Sequence, residues 1–257
     1  MIIKSQPNKI YDLLLDTVAR KNAIAVEEIL IGLTWTLCRT EQATGLAMSP
    51  HIQTRTLPWA GTLQGRKISA LAQWITSWQL HEATIGLAAI NSAINHDNAL
   101  LAQAISLQKT AYPNLAVFEY FLPQLLGKKV AVIGRYPYLE QLTTQVEWTI
   151  LERQPQDNDL LDTACEFVLP ESDWVFVTAS SLSNKTFPRL AELSRDAQLV
   201  LMGPSVPWLA EFADFGVNFL AGVAVDDATV LRQTVAEGGG VRIFQQGVTY
   251  RVAHLTS

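Results

Sequence analysis

The chain has 257 residues, 49% hydrophobic and 17% charged, with a formal net charge of −5 at pH 7. That apolar content supports a sizeable core and excludes a disordered chain. The acidic balance argues against general binding to nucleic acid or an anionic membrane surface, which need basic faces.

The length suits one large domain or two medium ones. Met1-Ile2-Ile3-Lys4-Ser5-Gln6-Pro7 lacks the charged-then-apolar pattern of a secretory signal. No apolar run approaches a membrane span. Cys38 and Cys165 lie far apart and read as buried free thiols, so a cytoplasmic setting is expected.

Asn8 to Arg20 spaces Ile10, Leu13, Leu14 and Val18 as one face of a helix, with Asn8 as its cap and Asn22 near its end. Val26 to Leu37 reads as one β-rich strand, its alternation at Leu33, Trp35 and Leu37 suiting a half-buried antiparallel sheet. Thr44 to Ser49 is its partner across the short connection Glu41 to Ala43, and Pro50 to Gly65 is a loop. Ser69 to Ser77 predicts a helix with Leu71, Trp74, Ile75 and Trp78 on one face. His81 to Asn95 is apolar nearly all round and so predicts a buried helix, with Asn91 and Asn95 four apart on one face. His96 to Leu126 reads as a connector with a short helix from Phe118 to Leu126.

From Gly127 the pattern alternates between strand and helix. Predicted strands are Val130–Ile133, Glu147–Leu151, Trp174–Thr178, Leu199–Met202 and Phe219–Leu220. Predicted helices are Leu139–Thr144, Leu161–Val168, Asn184–Ser194, Pro207–Phe212 and Asp227–Ala236. Such alternation argues a parallel sheet covered on both faces. Arg242–Gln245 and Val248–Val252 read as a closing hairpin after Gly238-Gly239-Gly240. The fold class is therefore α/β: an α+β domain over residues 1–110, then a Rossmann-like parallel-sheet domain over 111–257.

Ligands of such sheets sit at the carboxyl ends of the strands. Those ends carry Gly134-Arg135-Tyr136-Pro137, Glu152-Arg153, Thr178 to Ser181 followed by Asn184-Lys185-Thr186, Gly203-Pro204-Ser205, and Asp226 beyond the fifth strand. Glycines let backbone approach a ligand closely. Hydroxyls, a base and carboxylates supply orientation and charge, although Ser180, Ser181 and Asn184 also suit helix capping. Gly134 stands alone where a dinucleotide fingerprint needs three glycines, and Arg135, Tyr136 and Pro137 would crowd a pyrophosphate, so NAD(P) is not expected. The acid at Glu152 also suits other nucleoside ligands. His51, His81, His96 and His254 form no metal-ligand spacing with one another or with cysteine.

Ala83 to Asn91 with Asn95, Val130 to Pro137, Leu151-Glu152-Arg153, Asn184-Lys185-Thr186 and Gly203 to Pro207 together resemble a family of two-domain prokaryotic proteins known as putative heavy-metal chelation proteins. The likeness runs from about Ile10 to Gly247. It implies an enolase N-terminal-like first domain, a Rossmann-like second one and a site in the cleft between them. Asn91 and Asn95 would there meet Gly134, Arg135, Glu152, Asn184, Lys185, Thr186, Gly203, Pro204 and Ser205. The expected ligand is a small anion or a metal complex. Glu152 and Asp226 would supply carboxylates and are the candidate metal ligands. Arg135 or Lys185 would supply positive charge, with Tyr136 on the same loop. Two other readings are a small-metabolite lyase or transferase with Glu152 as base and Lys185 as acid, and a ligand-free scaffold dimer, whose cleft would be filled by apolar side chains. A homodimer is compatible with each.

Overall fold

The computed structural model describes residues 8–21, 24–143, 145–156 and 158–255. Residues 1–7, Asn22 and Thr144, to which the leader, helix-end and helix predictions refer, lie outside the described residues. Helix α1, Lys9–Ala19, buries Ile10, Tyr11, Leu14 and Val18; Asn8 holds the cap position, but its side chain makes no capping bond. An antiparallel meander follows: β1 Val26–Ile31, β2 Trp35–Thr40 and β3 Thr44–Met48. The single strand predicted over Val26–Leu37 is thus a hairpin. The chain reverses at Gly32-Leu33-Thr34, where the Gly32 N–H bonds Trp35 O at 2.9 Å. Gly32 sits so close to Val235 that a Cβ would lie 2.6 Å from its carbonyl oxygen. Leu33, predicted to face inward, is the exposed tip.

Helix α2, Ile68–Ala72, passes into a single 3-10 turn, Gln73–Thr76, where one helix was predicted. Extended backbone at Ser77 then swings Trp78 into solvent instead of onto the apolar face. Helix α3, Leu80–Asn95, is buried at every position from Ala83 to Ile94. Two glycines allow this. A Cβ on Gly45 of β3 would lie 2.1 Å from Ser92 N, and one on Gly86 would lie 2.2 Å from Ile75 N, so backbone packs on backbone along both sides of the helix.

The connector folds as α4 Ala99–Gln103, β4 Ile105–Ser106 and α5 Ala116–Leu125. The remaining elements are β5 Lys129–Ile133, β6 Glu147–Glu152, β7 Leu160–Leu161, α6 Cys165–Val168, β8 Trp174–Thr178, α7 Ser180–Ser183, α8 Phe187–Leu193, β9 Gln198–Met202, β10 Phe219–Val225, α9 Ala228–Ala236 and β11 Val248–His254. They build an eight-stranded sheet in the order β4-β11-β10-β9-β8-β5-β6-β7. The run from β10 to β7 is parallel, while β11 is antiparallel to both β10 and β4. The parallel run starts at β5, winds outward through β6 to β7, then returns beside β5 as β8 and winds the other way. This is a doubly wound sheet with its switch point between β5 and β8.

Alternate residues feed two cores. Ala131, Ile133, Val175, Val177, Leu199 and Leu201 share one with α1, α3, α7 and α8. Val130, Val132, Phe176, Val200 and Met202 share the other with α5 and α9, and Trp35, Leu37 and Leu46 of the small sheet belong to it too. Hydrophobic packing therefore runs without a break from one half of the chain to the other.

Several local predictions change. The fifth strand extends to Val225 because β11 pairs along its whole length. The predicted closing hairpin is absent: Val241–Phe244 is a 3-10 turn that buries Ile243 and Phe244, and β11 pairs with β10 and β4 instead. Leu139–Gln141 and Ala210–Phe215 are 3-10 segments where α-helices were predicted. The helix predicted over Asn184–Ser194 breaks at Asn184-Lys185-Thr186, with Lys185 at φ 70°.

Asn91, on fully buried α3, donates from Nδ2 to Leu46 O at 2.8 Å and to Ser205 O at 2.9 Å. An Asn91→Ala variant strands both carbonyls and opens a cavity. Chemical denaturation should show a loss of about 3 kcal/mol in unfolding free energy, whereas a side chain present only for a ligand would leave the midpoint unmoved.

Candidate functional site

The backbone after β5 and after β9 turns through glycines with left-handed torsions, Gly134 at φ 97° and Gly203 at φ 106°. Each glycine N–H still completes the sheet, Gly134 to Leu151 O and Gly203 to Ala221 O, both at 2.9 Å. The chain then diverges and opens a cavity of about 890 Å³ over the carboxyl ends of β5, β6, β8 and β9. Its opposite wall comes from the small sheet, the loops around it and the start of α3: Thr34, Trp35, Met48 to Ile52, Leu80 and Thr84. Gly240, Val241, Phe244 and Tyr250 close another side. Position at the switch point and a volume within the range of small-molecule sites agree.

Most charged groups on the wall are already engaged. Glu152 holds the turns around it through both carboxylate oxygens: Oε2 accepts the Arg135 N–H at 2.9 Å, and Oε1 accepts Arg153 N–H at 2.7 Å and Gln154 N–H at 3.3 Å. The Arg135 guanidinium is clamped between Glu140 and the buried carboxylate of Asp159. Arg153 pairs with Asp162 at 3.0 Å, and Arg189 pairs with Glu166 and Glu192.

Lys185 is different. Its left-handed backbone turns the side chain back so that Nζ donates to Ser183 O at 2.8 Å and stands 5.5 Å from the centroid of the Tyr11 ring. No carboxylate pairs with it among the described residues. Burial lowers its ammonium pKa to about 8, so the group is charged at neutral pH and loses its charge in mild alkali.

Hydroxyls line the same cavity. Thr178 Oγ1 and Ser180 Oγ are 3.0 Å apart, and Thr186 Oγ1 donates to Asn184 Oδ1 at 2.7 Å. Ser181 Oγ is buried with no hydrogen-bond partner. The Tyr136 phenol, hydrogen-bonded to Thr178, and the Tyr250 phenol are held well above their ordinary range, chiefly by burial, and stay neutral. Cys165 also lines the cavity, half-buried rather than buried as predicted; burial, then Glu166 and Asp162, raise its thiol pKa.

Of the residues singled out in the sequence, Gly134, Arg135, Tyr136, Glu152, Asn184, Lys185, Thr186, Gly203, Pro204 and Ser205 line this cavity. Asn91, Asn95 and Asp226 are not among its lining residues. Asn91 is inside the fold, its Nδ2 spent on two backbone carbonyls and its Oδ1 buried without a partner among the described residues. Asn95 ends α3, with its Oδ1 buried. Asp226 follows a strand that runs four residues past the level of Met202, and it accepts a hydrogen bond from Thr249. Arg135 reaches the wall, but its charge is consumed by two carboxylates. Asn184 serves as a turn, Oδ1 accepting the Thr186 N–H at 3.1 Å. Trp35, Met48, Thr84, Phe244 and Tyr250 line the site from distant segments, where the sequence shows only core-type residues.

The molecule is thus a doubly wound α/β sheet joined to a small α+β unit, with a cavity at the switch point walled by both. Comparison with known proteins is consistent with this. The profile of the DUF364 family, described as "Putative heavy-metal chelation", matches residues 116–254, and that of DUF4213, with the same description, matches residues 11–94. The chain belongs to this family. A crystal structure of a DUF364-family protein of unknown function from Desulfitobacterium hafniense DCB-2 is similar at 30% identity and TM-score 0.84, covering 96% of this chain and 98% of that one. A second, from Pyrococcus horikoshii, shares the fold at 21% identity and TM-score 0.76, covering 96% and 99%. The uncharacterized protein MJ0500 of Methanocaldococcus jannaschii is 30% identical over 159 residues, 59% of this chain and 58% of that protein; the matched part spans less than two thirds of this relative's length.

The donor set does not fit a heavy-metal ion held by protein side chains. Among the described residues no three His, Cys, Asp or Glu side chains stand together as a metal-holding group. Glu152, Asp162 and Glu166 are engaged as described, and Cys38 is buried in the core with its thiol raised to about 12. Soft metals need thiolates or imidazoles that converge.

Glu152→Ala should release the Arg135, Arg153 and Gln154 amides. Native-state hydrogen exchange is expected to speed up at all three, with about 1–3 kcal/mol lost from the stability of the loop. Unchanged exchange would show that the carboxylate is not what organises these turns.

Proposed function

We propose that the protein binds a small anionic ligand in the cavity between its two halves, and that any metal reaching the site does so inside that ligand's own complex. The observation that supports this most is the pairing of a carboxylate-free Lys185 with an open, largely apolar cavity at the switch point. A ligand-free scaffold is disfavoured by the same cavity, which apolar side chains would otherwise fill. A general-base role for Glu152 is disfavoured by the three backbone N–H groups its carboxylate accepts.

The test is native mass spectrometry of the protein, purified without chelator or added metal, beside a Lys185→Met variant. The expected spectrum carries an organic adduct that leaves on denaturation and is depleted in the variant. A bare metal-ion adduct retained equally by both forms would overturn the proposal.

The lysine sets a pH dependence. Its ammonium is charged below about 8, so affinity for an anion should be level near neutrality and fall as pH rises through that value. The Tyr11 ring beneath it carries a phenol raised beyond this window and contributes no charge there. Calorimetric titrations across the window should show the fall in wild type and none in Lys185→Met.

A further inference from the structure

The charges on the cavity wall restrict what can bind there. Arg135, Arg153 and Arg189 all reach the wall, but each is neutralised by at least one carboxylate, and Arg135 and Arg189 by two. Glu152 adds a further negative charge, satisfied by backbone N–H groups rather than by a cation. Lys185 is the single lining Lys or Arg without a carboxylate among the described residues. A diphosphate or other multiply charged ligand would therefore bring negative charge that the site leaves uncompensated, at a steep cost in a partly desolvated cavity. One negative charge is what Lys185 can balance.

A second observation is independent of charge. Ser181 is 1% exposed and lines the cavity, and among the described residues its Oγ, itself buried, has no hydrogen-bond partner. A buried hydroxyl left unpaired is costly unless something else receives its bond. It lies four residues before Lys185 in the same turn, where Ser181 O accepts the Thr186 N–H at 3.0 Å. A third observation concerns the rest of the ligand. Trp35 and Phe244 meet edge to face at 6.5 Å, and Phe244 stacks on Tyr250 at 4.8 Å, giving one continuous aromatic wall.

We infer that the ligand is an amphiphilic monoanion, with one carboxylate-type group at Lys185 and Ser181 and an apolar, planar body along Trp35, Phe244 and Tyr250. This rests on the proposal that the cavity is a binding site, and it goes further by naming the ligand's class and making Ser181 a specificity residue.

The experiment is calorimetric titration of the full chain at neutral pH with three probes: naphthoate, naphthalenemethanol and inorganic pyrophosphate. Naphthoate should bind about tenfold or more tighter than the alcohol, the worth of one charge-assisted hydrogen bond; pyrophosphate should bind more weakly than naphthoate. Lys185→Met should erase the difference between acid and alcohol. Because Ser181 Oγ has no protein partner to lose, Ser181→Ala should leave the melting temperature unchanged or raised while weakening naphthoate severalfold and sparing the alcohol, a split that a structural role for the hydroxyl would not give. Equal binding of acid and alcohol would overturn the monoanion and the anionic part of the proposed function, leaving only a cavity that takes apolar molecules. Pyrophosphate binding tighter than naphthoate would overturn it in favour of a phosphate ligand. Binding of none of the three would overturn this inference together with the cavity proposal.

Discussion

Strand β3 forms one edge of the small sheet, and a buried strand edge carries backbone groups that must find partners away from water. Here one bond goes directly to the other half of the chain and another reaches it through a bridging side chain. The Met48 N–H donates to Ser205 Oγ at 2.9 Å, and Asn91 Nδ2 joins Leu46 O to Ser205 O. Two carbonyl acceptors require the amide nitrogen at that position, which fixes how Asn91 is oriented. One asparagine on a buried helix and one serine after β9 thereby lock the small sheet to the turn that opens the cavity. The core shared by Trp35, Leu37 and Leu46 with the large sheet reinforces the lock.

That lock gives the cavity fixed walls. Gly203 and Ser205 belong to the turn being held, and Met48 ends the strand holding it, so the mouths of β8 and β9 face the small sheet in a set register. Within this frame the ion pairs act as scaffolding. Glu152 shapes two turns through backbone bonds, and Arg135 ties the turn after β5 to Glu140 and Asp159. Such networks spend charge on geometry, and among the lining Lys and Arg side chains of the described residues only Lys185 keeps a charge unpaired by a carboxylate.

The family description points toward heavy metal, and the side chains point elsewhere. A chelate needs donors that converge and are free to lose their protons. Cys165 has its thiol raised by burial and by Glu166 and Asp162, and the carboxylates at the cavity are engaged. An organic anion, with or without its own bound metal, is compatible with one cation, several hydroxyls and an aromatic wall.

Much of this architecture was legible in the sequence. The apolar runs Val130–Ile133, Trp174–Thr178 and Leu199–Met202 announce a parallel sheet because strands buried on both faces must be apolar throughout, and the turn residues after them mark the ligand edge because few other residues allow the chain to reverse there. The nearly all-round apolar character of His81–Asn95 gave away a helix enclosed on all sides. The hairpin at Gly32 was hidden, since the glycine is demanded by the approach of Val235, 203 residues away, and not by its neighbours. Residue type likewise marked Asn91, Arg135 and Asp226 as polar candidates but could not separate ligand groups from structural ones. That distinction depends on partners: two carbonyls for Asn91, two carboxylates for Arg135, Thr249 for Asp226. The sequence by itself determined the strands, the buried helix and the edge of the sheet where a ligand would sit, because those follow from local hydrophobic period and turn chemistry. Only the tertiary structure decided which charges remain free at that edge, because neutralisation is a property of pairs brought together by the fold.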